Sequence, residues 1–338
     1  MAARRIPLNF FAMPLGLAGL AGSWQTAADY GRAPHAVAWV LFLAATLAWV
    51  LVLVGYGRYL SDDWGGFGRD LLDPVAAPFA SLAVITPMLL AVEGLYPHAP
   101  HVGRALFDVF LVLTVLLGAW FTGQWMYGGL ELDRFHPGYF LPTVAGGLLA
   151  SAGAAAVGQH RLAEVMFGLG MVCWLVLGSI ILGRLFFRPQ LPKALMPTLA
   201  IEVAPAAVAS LAYFALHGDR VDSVAAFLGG YGLLMVLAQL RLLPAYRRLP
   251  FMPSTWAFTF SWAAVASAGL HWLDALRPTG YQVWQYLVLT AVTALIGSIA
   301  VRTLVALARH QLLPERPQPK PQPAPRGAAD APVAQEHA

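Results

Sequence analysis

The feature that most constrains this chain is a succession of apolar blocks, each long enough to cross a lipid bilayer as a helix. A helix needs about 20 apolar residues to span roughly 30 Å of hydrocarbon. Only 11% of the 338 residues are charged, which is well under half the share typical of soluble domains. The blocks therefore predict an all-α integral membrane protein with ten transmembrane helices, at 8–28, 35–57, 75–95, 103–127, 138–158, 161–186, 195–217, 221–243, 253–273 and 280–308.

The distribution of basic residues predicts the orientation, because Lys and Arg are retained on the cytoplasmic side. The first block alone could also be a cleavable signal peptide, since Arg4 and Arg5 precede a short apolar stretch. Counting it as a helix separates the charges well and places both termini in the cytoplasm. One side then carries Arg4, Arg5, Arg58, Arg69, Arg134, Arg184, Arg188, Lys193, Arg241, Arg247, Arg248, Arg302, Arg309, Arg316, Lys320 and Arg326. The other side carries only Arg32, Arg104, Arg161, Arg220 and Arg277.

The chain divides into two regions of different composition. Residues 1–313 form the predicted membrane domain, whereas 314–338 are rich in Pro, Ala and Gln. Such a composition has too little apolar side chain to build a core. The second region is therefore predicted to be a disordered cytoplasmic tail.

The ten blocks are predicted to pair into five helical hairpins that repeat along the chain. Pro14, Pro78, Pro142 and Pro205 recur about every 64 residues in the first helix of successive hairpins, and Ser261 stands near this place in the fifth. Proline frees a backbone carbonyl, which is tolerated in a membrane where it faces protein or a water-filled cavity. The odd-numbered helices are thus expected to line a pore, although ordinary proline kinks are an alternative.

The fifth helix is built almost entirely of small side chains between Thr143 and Ala156. Small residues leave space beside a helix, which favours a pore. They also permit close helix packing. The two interpretations can hold on different faces, and Gly146 is taken as a pore-lining candidate.

Four segments together resemble the family that contains the tellurite-resistance protein TehA, the plant guard-cell slow anion channels and the C4-dicarboxylate (malate) transporters. They are 14–24, 141–146, 197–205 and 256–261. The resemblance implies five hairpins in a pseudo-fivefold barrel around a central pore, usually in a homotrimer with one pore in each subunit. It also implies that a phenylalanine of the ninth helix occludes the pore, with Phe260 as the best match and Phe258 as the alternative. From the residues alone, a single aromatic such as Phe260 on an apolar helix is usually core or lipid-facing packing.

Charged side chains supply the remaining site candidates. Glu202 lies within the seventh helix, where an ionisable group is a functional hypothesis by default. It is either a proton- or ion-coupling site or a structural partner at a helix interface, and the structural interpretation is favoured. The five arginines on the sparsely charged side, one in each hairpin, are expected to attract anions to the pore mouth, unless they merely solubilise short loops. They are Arg32, Arg104, Arg161, Arg220 and Arg277.

The predicted function is a gated channel for small anions in a bacterial inner membrane, with no enzymatic activity, cofactor, metal or nucleic-acid partner. A proton-coupled transporter of C4-dicarboxylates, sulfite or tellurite is the alternative. A membrane-embedded redox enzyme is a third class, which would need histidine ligands facing each other inside the bundle. All nine histidines instead fall at helix ends, in loops or in the tail. The histidine pattern therefore disfavours that class.

Overall fold

The computed structural model describes residues 6–218, 220–309 and 311–312, and every regular element in these ranges is helical. The predicted tail at 314–338, including its basic residues, lies outside the described ranges. The α-helices are α1 (Ala12–Asp29), α2 (His35–Asp62), α3 (Gly65–Leu72), α4 (Leu82–Leu89), α5 (Pro100–Tyr127), α6 (Gly146–Ala156), α7 (His160–Phe187), α8 (Ala204–His217), α9 (Ser223–Tyr246), α10 (Ala257–Leu276) and α11 (Tyr281–Ala308).

Ten helical segments coincide with the predicted blocks. The largest boundary difference is at α2, which continues to Asp62 rather than ending at 57. The short helix α3 in the following link was not predicted. Eight segments among the described residues are long and apolar enough to cross a membrane. The segments at 8–29 and 253–276 are also helical but are not among these eight.

The segments fall into two classes of burial. In three of them most residues of the apolar stretch are buried within the protein. The buried shares are 72%, 83% and 78% for Ala77–Leu95, Pro137–Ala156 and Met196–His217. The five helices α2, α5, α7, α9 and α11 are only 17–28% buried. Their exposed side chains are large and apolar, for example Leu43, Leu116 and Leu234. Such surfaces suit a lipid environment better than water.

We call the five first helices of the hairpins the inner segments. They are 8–29, Ala77–Leu95, Pro137–Ala156, Met196–His217 and 253–276.

Each inner segment opens with tighter or wider helical turns before it becomes α-helical. The opening turns are of the 3₁₀ type at Leu8–Phe11, Ala77–Ser81, Pro137–Phe140, Met196–Val203 and Pro253–Trp256. A proline near each start explains the irregularity, because it removes one backbone donor and its ring disfavours the standard turn. The same local deviation thus recurs in all five hairpins.

Contacts between the inner segments follow a closed order: α1 packs on α4, α4 on α6, α6 on α8, α8 on α10, and α10 on α1. Each also packs on the outer helix of its own hairpin. One close contact joins α6 to α7, where a Cβ atom at Gly147 would lie 2.9 Å from the Cα atom of Gly170. Glycine is required at this crossing because a larger side chain would meet backbone. The small residues of α6 therefore do provide close packing on this face.

Candidate functional site

An apolar cavity of about 40 Å³ lies among the first halves of the inner segments. All five inner segments contribute side chains to its wall. We call it the apolar cavity, and its lining residues are Ala12, Leu15, Phe79, Leu82, Phe140, Leu141, Val144, Ala145, Leu148, Ile201, Ala204, Pro205, Val208, Trp256, Ala257, Phe260 and Ser261.

A second cavity of about 340 Å³ lies among the second halves of the same segments. It is the larger of the two and carries polar and charged side chains. We call it the polar cavity, and its lining residues are Gly19, Gly22, Gln25, Thr26, Asp29, Met88, Leu89, Val92, Glu93, Phe107, Leu149, Ala152, Gly153, Ala156, Val208, Leu211, Ala215, Phe260, Ala264, Ser267 and His271.

Phe260 lies where the two cavities meet, since Phe260 and Val208 line both. Its ring packs closely against α1, because a Cβ atom at Gly19 would lie 2.9 Å from Cδ2 of Phe260. The side chain is only partly buried. A partly buried aromatic ring between two cavities has room to change rotamer, and an apolar ring across a narrow passage excludes water.

Phe258 points to a different environment, although it is only two residues away. Its ring centroid lies 4.8 Å from that of Tyr246 on α9 in a T-shaped contact. Phe258 lines a groove between α9, α10 and α11 rather than either axial cavity. Phe260 therefore lines the two cavities among the inner segments, whereas Phe258 lines neither.

Two of the four predicted kink prolines lie in the irregular turns of the inner segments, and the other two lie in the first α-helical turn after such turns. All four prolines are buried, and Pro205 lines the apolar cavity together with Ser261, the equivalent position in the fifth hairpin. Pro78 lies in 3₁₀ turns and Pro142 in a π-helical turn. Pro14 lies in the first turn of α1.

Gly146 is buried against α5 rather than exposed to a cavity. A Cβ atom there would lie 2.8 Å from Cγ2 of Thr114. Its neighbours Val144 and Ala145 line the apolar cavity, and Ala152, Gly153 and Ala156 line the polar one. Some small residues of the fifth helix thus allow close helix packing, and others line the cavities.

Glu202 lies off the axis of the cavities. The side chain is 6% exposed and lines neither cavity, whereas its neighbours Ile201 and Ala204 both line the apolar one. It is close enough to Tyr231 and Tyr246 of α9 for electrostatic interaction. Its Oε1 atom has no hydrogen-bond partner among the described residues. Glu202 therefore has no direct access to either cavity.

The five arginines of the sparsely charged side do not line either cavity in the described structure. Arg32 donates to Gln285 Oε1 at 2.8 Å and to the Tyr281 hydroxyl at 3.2 Å. Arg161 pairs with Glu164 at 3.1 Å, and Arg277 with Asp274 at 3.5 Å. Arg104 and Arg220 are exposed.

Sequence reasoning missed the ionisable residues of the polar cavity, Asp29, Glu93 and His271. Glu93 belongs to a π-helical turn at Leu90–Leu95, a deviation that is frequent at functional sites. Glu93 is two residues from the end of the third predicted helix, at 75–95, and this position gave no indication that its side chain lines a cavity.

One buried histidine lies just outside the membrane-spanning segments and joins two of them. The His136 Nδ1 atom accepts from the Gly138 amide at 3.1 Å, so Nε2 carries the proton that it donates to the Val75 carbonyl at 3.1 Å. Burial lowers the pKa of His136 to about 4, and the charge of Arg184 acts in the same direction. The ring is therefore neutral at pH 7. Its two hydrogen bonds connect the link before Ala77–Leu95 to the start of Pro137–Ala156.

These observations define a class of protein: an integral membrane protein whose helices enclose two cavities that share Phe260 and Val208 in their walls. The chain belongs to the SLAC1 family, described as voltage-dependent anion channels, whose family model matches residues 5–304. It is 27% identical to a tellurite resistance protein TehA homolog of Haemophilus influenzae, over 90% of this chain and 92% of that protein.

The plant relatives are longer proteins. The S-type anion channel SLAH2 of Arabidopsis thaliana is 24% identical over 92% of this chain, which covers 61% of SLAH2. The guard cell S-type anion channel SLAC1 of the same plant is 22% identical over 80% of this chain, which covers 50% of that channel. These relatives are named as channels, and at the level of the family the protein is a non-enzyme.

Proposed function

We propose that the protein is a gated channel that conducts small anions along the axis of each subunit, with Phe260 as the gate. The observation that carries the proposal is the position of Phe260, which with Val208 lines both axial cavities. An ion moving between the cavities must pass this ring. Rotation of the ring away from the axis would open a hydrated path, and its return would close it by dewetting.

The proposed frame is ten transmembrane helices in a pseudo-fivefold barrel. It is supported by the closed order of contacts among the inner segments and by the irregular turn that begins each of them. In this frame the segments at 8–29 and 253–276 cross the membrane, shielded from lipid by the outer helices. Both termini are cytoplasmic, in a bacterial inner membrane, and the polar cavity faces outward. A homotrimer is proposed from the resemblance.

The names of the relatives supply the proposed substrate class, because SLAH2 and SLAC1 are both called anion channels. Arg104 and Arg220, exposed on the proposed outer side, would raise the local anion concentration through their field rather than by direct contact in the cavity.

The class is tested by ion selectivity of the purified protein in planar bilayers. With potassium chloride gradients across the bilayer, an anion channel gives a reversal potential close to the chloride equilibrium potential. Replacing potassium by an impermeant cation should leave the current intact. A reversal potential close to that of the cation, or loss of current when the cation is replaced, would contradict the proposal.

A proton-coupled carrier of C4-dicarboxylates, sulfite or tellurite is the second candidate, and the ionisable lining of the polar cavity is the observation that favours it. It predicts uptake of labelled malate into liposomes that depends on an imposed pH gradient and generates no comparable anion current. If Glu202 couples the proton, Glu202→Gln abolishes that dependence. Since Glu202 lines neither cavity, the channel proposal expects Glu202→Gln to leave the pH dependence of transport unchanged.

A further inference from the structure

Glu93 places a carboxylate in the wall of the polar cavity. It projects from the π-helical turn towards α1, because a Cβ atom at Gly22 would lie 2.7 Å from Glu93 Oε2. That oxygen is buried and has no hydrogen-bond partner among the described residues. The carboxylate is therefore held in the cavity wall by packing, with one oxygen that has no hydrogen-bond partner among the described residues.

The other ionisable groups of this cavity do not neutralise Glu93. Asp29 on α1 adds a second carboxylate, which accepts a hydrogen bond from Gln25 Nε2 at 2.8 Å. His271 on α10 has its Nδ1 atom 2.6 Å from the Tyr30 hydroxyl. Among the described residues, the cavity wall contains neither lysine nor arginine. The fixed charge of this wall is thus negative when Glu93 is ionised.

The helices packed against the π-helical turn add few compensating charges. On α2, the His35 ring lies 3.9 Å from Asp29 and is exposed. On α5, Asp108 accepts from Gln159 at 2.8 Å and Arg104 is exposed at the helix start. The described α6 contains no charged side chain.

A negative wall in an anion pathway acts on permeating anions according to their charge. Coulomb repulsion scales with the product of the charges, so a divalent anion meets twice the barrier of a monovalent anion at the same position. The ionised wall therefore discriminates between anions of different valence without excluding anions altogether.

We propose that Glu93 is a specificity-determining residue of the pathway: its ionised carboxylate favours monovalent over divalent anions. The inference rests on the proposed anion channel. It assigns the substrate class as monovalent inorganic anions.

The test measures the permeability ratio of sulfate to chloride from reversal potentials at pH 8, with Phe260→Ala as the parent channel so that current is measurable. Adding Glu93→Gln is expected to raise the ratio by about tenfold, because the charge is lost at constant size. Adding Glu93→Asp retains the charge and should keep the ratio of the parent. Asp108→Asn is the matched control, because it removes a carboxylate of the adjacent helix that does not line the cavity. This variant should also keep the sulfate to chloride ratio of the parent.

An unchanged sulfate to chloride ratio in Glu93→Gln, with chloride current intact, would overturn the inference and leave the channel proposal standing. A similar rise in Asp108→Asn would also overturn it, because the effect would then be a general one of surface charge. If the Phe260→Ala parent gave no anion-selective current, the proposed function itself would fail and the inference with it. The two failures are therefore distinguishable.

Discussion

Phe260 and Glu93 pack against glycines three residues apart on one face of α1, Phe260 against Gly19 and Glu93 against Gly22. Three residues advance a helix by about 4.5 Å. The proposed gate and the proposed selectivity charge are therefore neighbours along the same glycine face. Both residues come from other segments of the chain, so α1 brings together side chains that are far apart in sequence.

Gly147→Ala should destabilise the protein through the crossing of α6 and α7. The added methyl would lie 2.9 Å from both the Cα and N atoms of Gly170, and overpacking of this kind costs about 1–3 kcal/mol. Thermal unfolding in detergent should show a lower midpoint. Gly168→Ala is the matched control, since a Cβ atom there meets nothing within 4 Å and the residue is exposed on α7. Equal midpoints for the two variants would contradict the packing argument.

Acidification should destabilise the protein through His136. The pKa of His136 is lowered to about 4 by burial, against an ordinary value of 6.5, so the unfolded chain binds a proton between these values and the folded chain does not. Stability from this group is complete above pH 6.5 and is lost as the pH falls towards 4, by about 2 kcal/mol between pH 7 and pH 5.

The check is thermal unfolding in detergent from pH 7.5 to 5. His136→Gln should begin less stable, because the bonds to Val75 and Gly138 are weakened, but should show a smaller decrease on acidification. His101→Gln, at an exposed position, should keep the slope of the wild type. An identical slope in His136→Gln and the wild type would refute the assignment.

Replacing Arg104 and Arg220 by Gln should lower conductance chiefly at low salt. Both are exposed and neither lines a cavity, so their influence is a field that salt screens over about 10 Å at 0.1 M. Conductance measured from 0.05 to 1 M chloride should converge with that of the wild type at the high end. A deficit that is equal at all concentrations would indicate a different role.

The helical segments could be predicted from the sequence because each predicted apolar block is about as long as a bilayer requires or longer, and is bounded by charged or turn residues. The sequence predicts that the second helix ends at 57, because polar residues begin at Arg58. In the structure α2 continues to Asp62. The short α3 was missed for the same reason. Local pattern does not reveal a helix that continues past the apolar region on polar side chains.

The site was only partly predictable. A regular spacing located the prolines, and a resemblance located Phe260, but neither specifies which face of a helix points to the axis. Glu202 and Glu93 illustrate the difficulty, because both are carboxylates in inner segments and only Glu93 lines a cavity. The distinction depends on the rotation of each helix within the bundle, which is set by packing between distant segments.

The central claim is tested most directly by single-channel recording of Phe260→Ala beside Phe258→Ala. Both variants truncate a phenylalanine of the same helix, but only Phe260 lines the two axial cavities, whereas Phe258 packs on Tyr246. The account predicts that Phe260→Ala raises the anion current at least about tenfold over the wild type, because the dewetted barrier is removed, and that Phe258→Ala does not. Unchanged current in Phe260→Ala with normal expression and trafficking, or an equal rise in both variants, would contradict it.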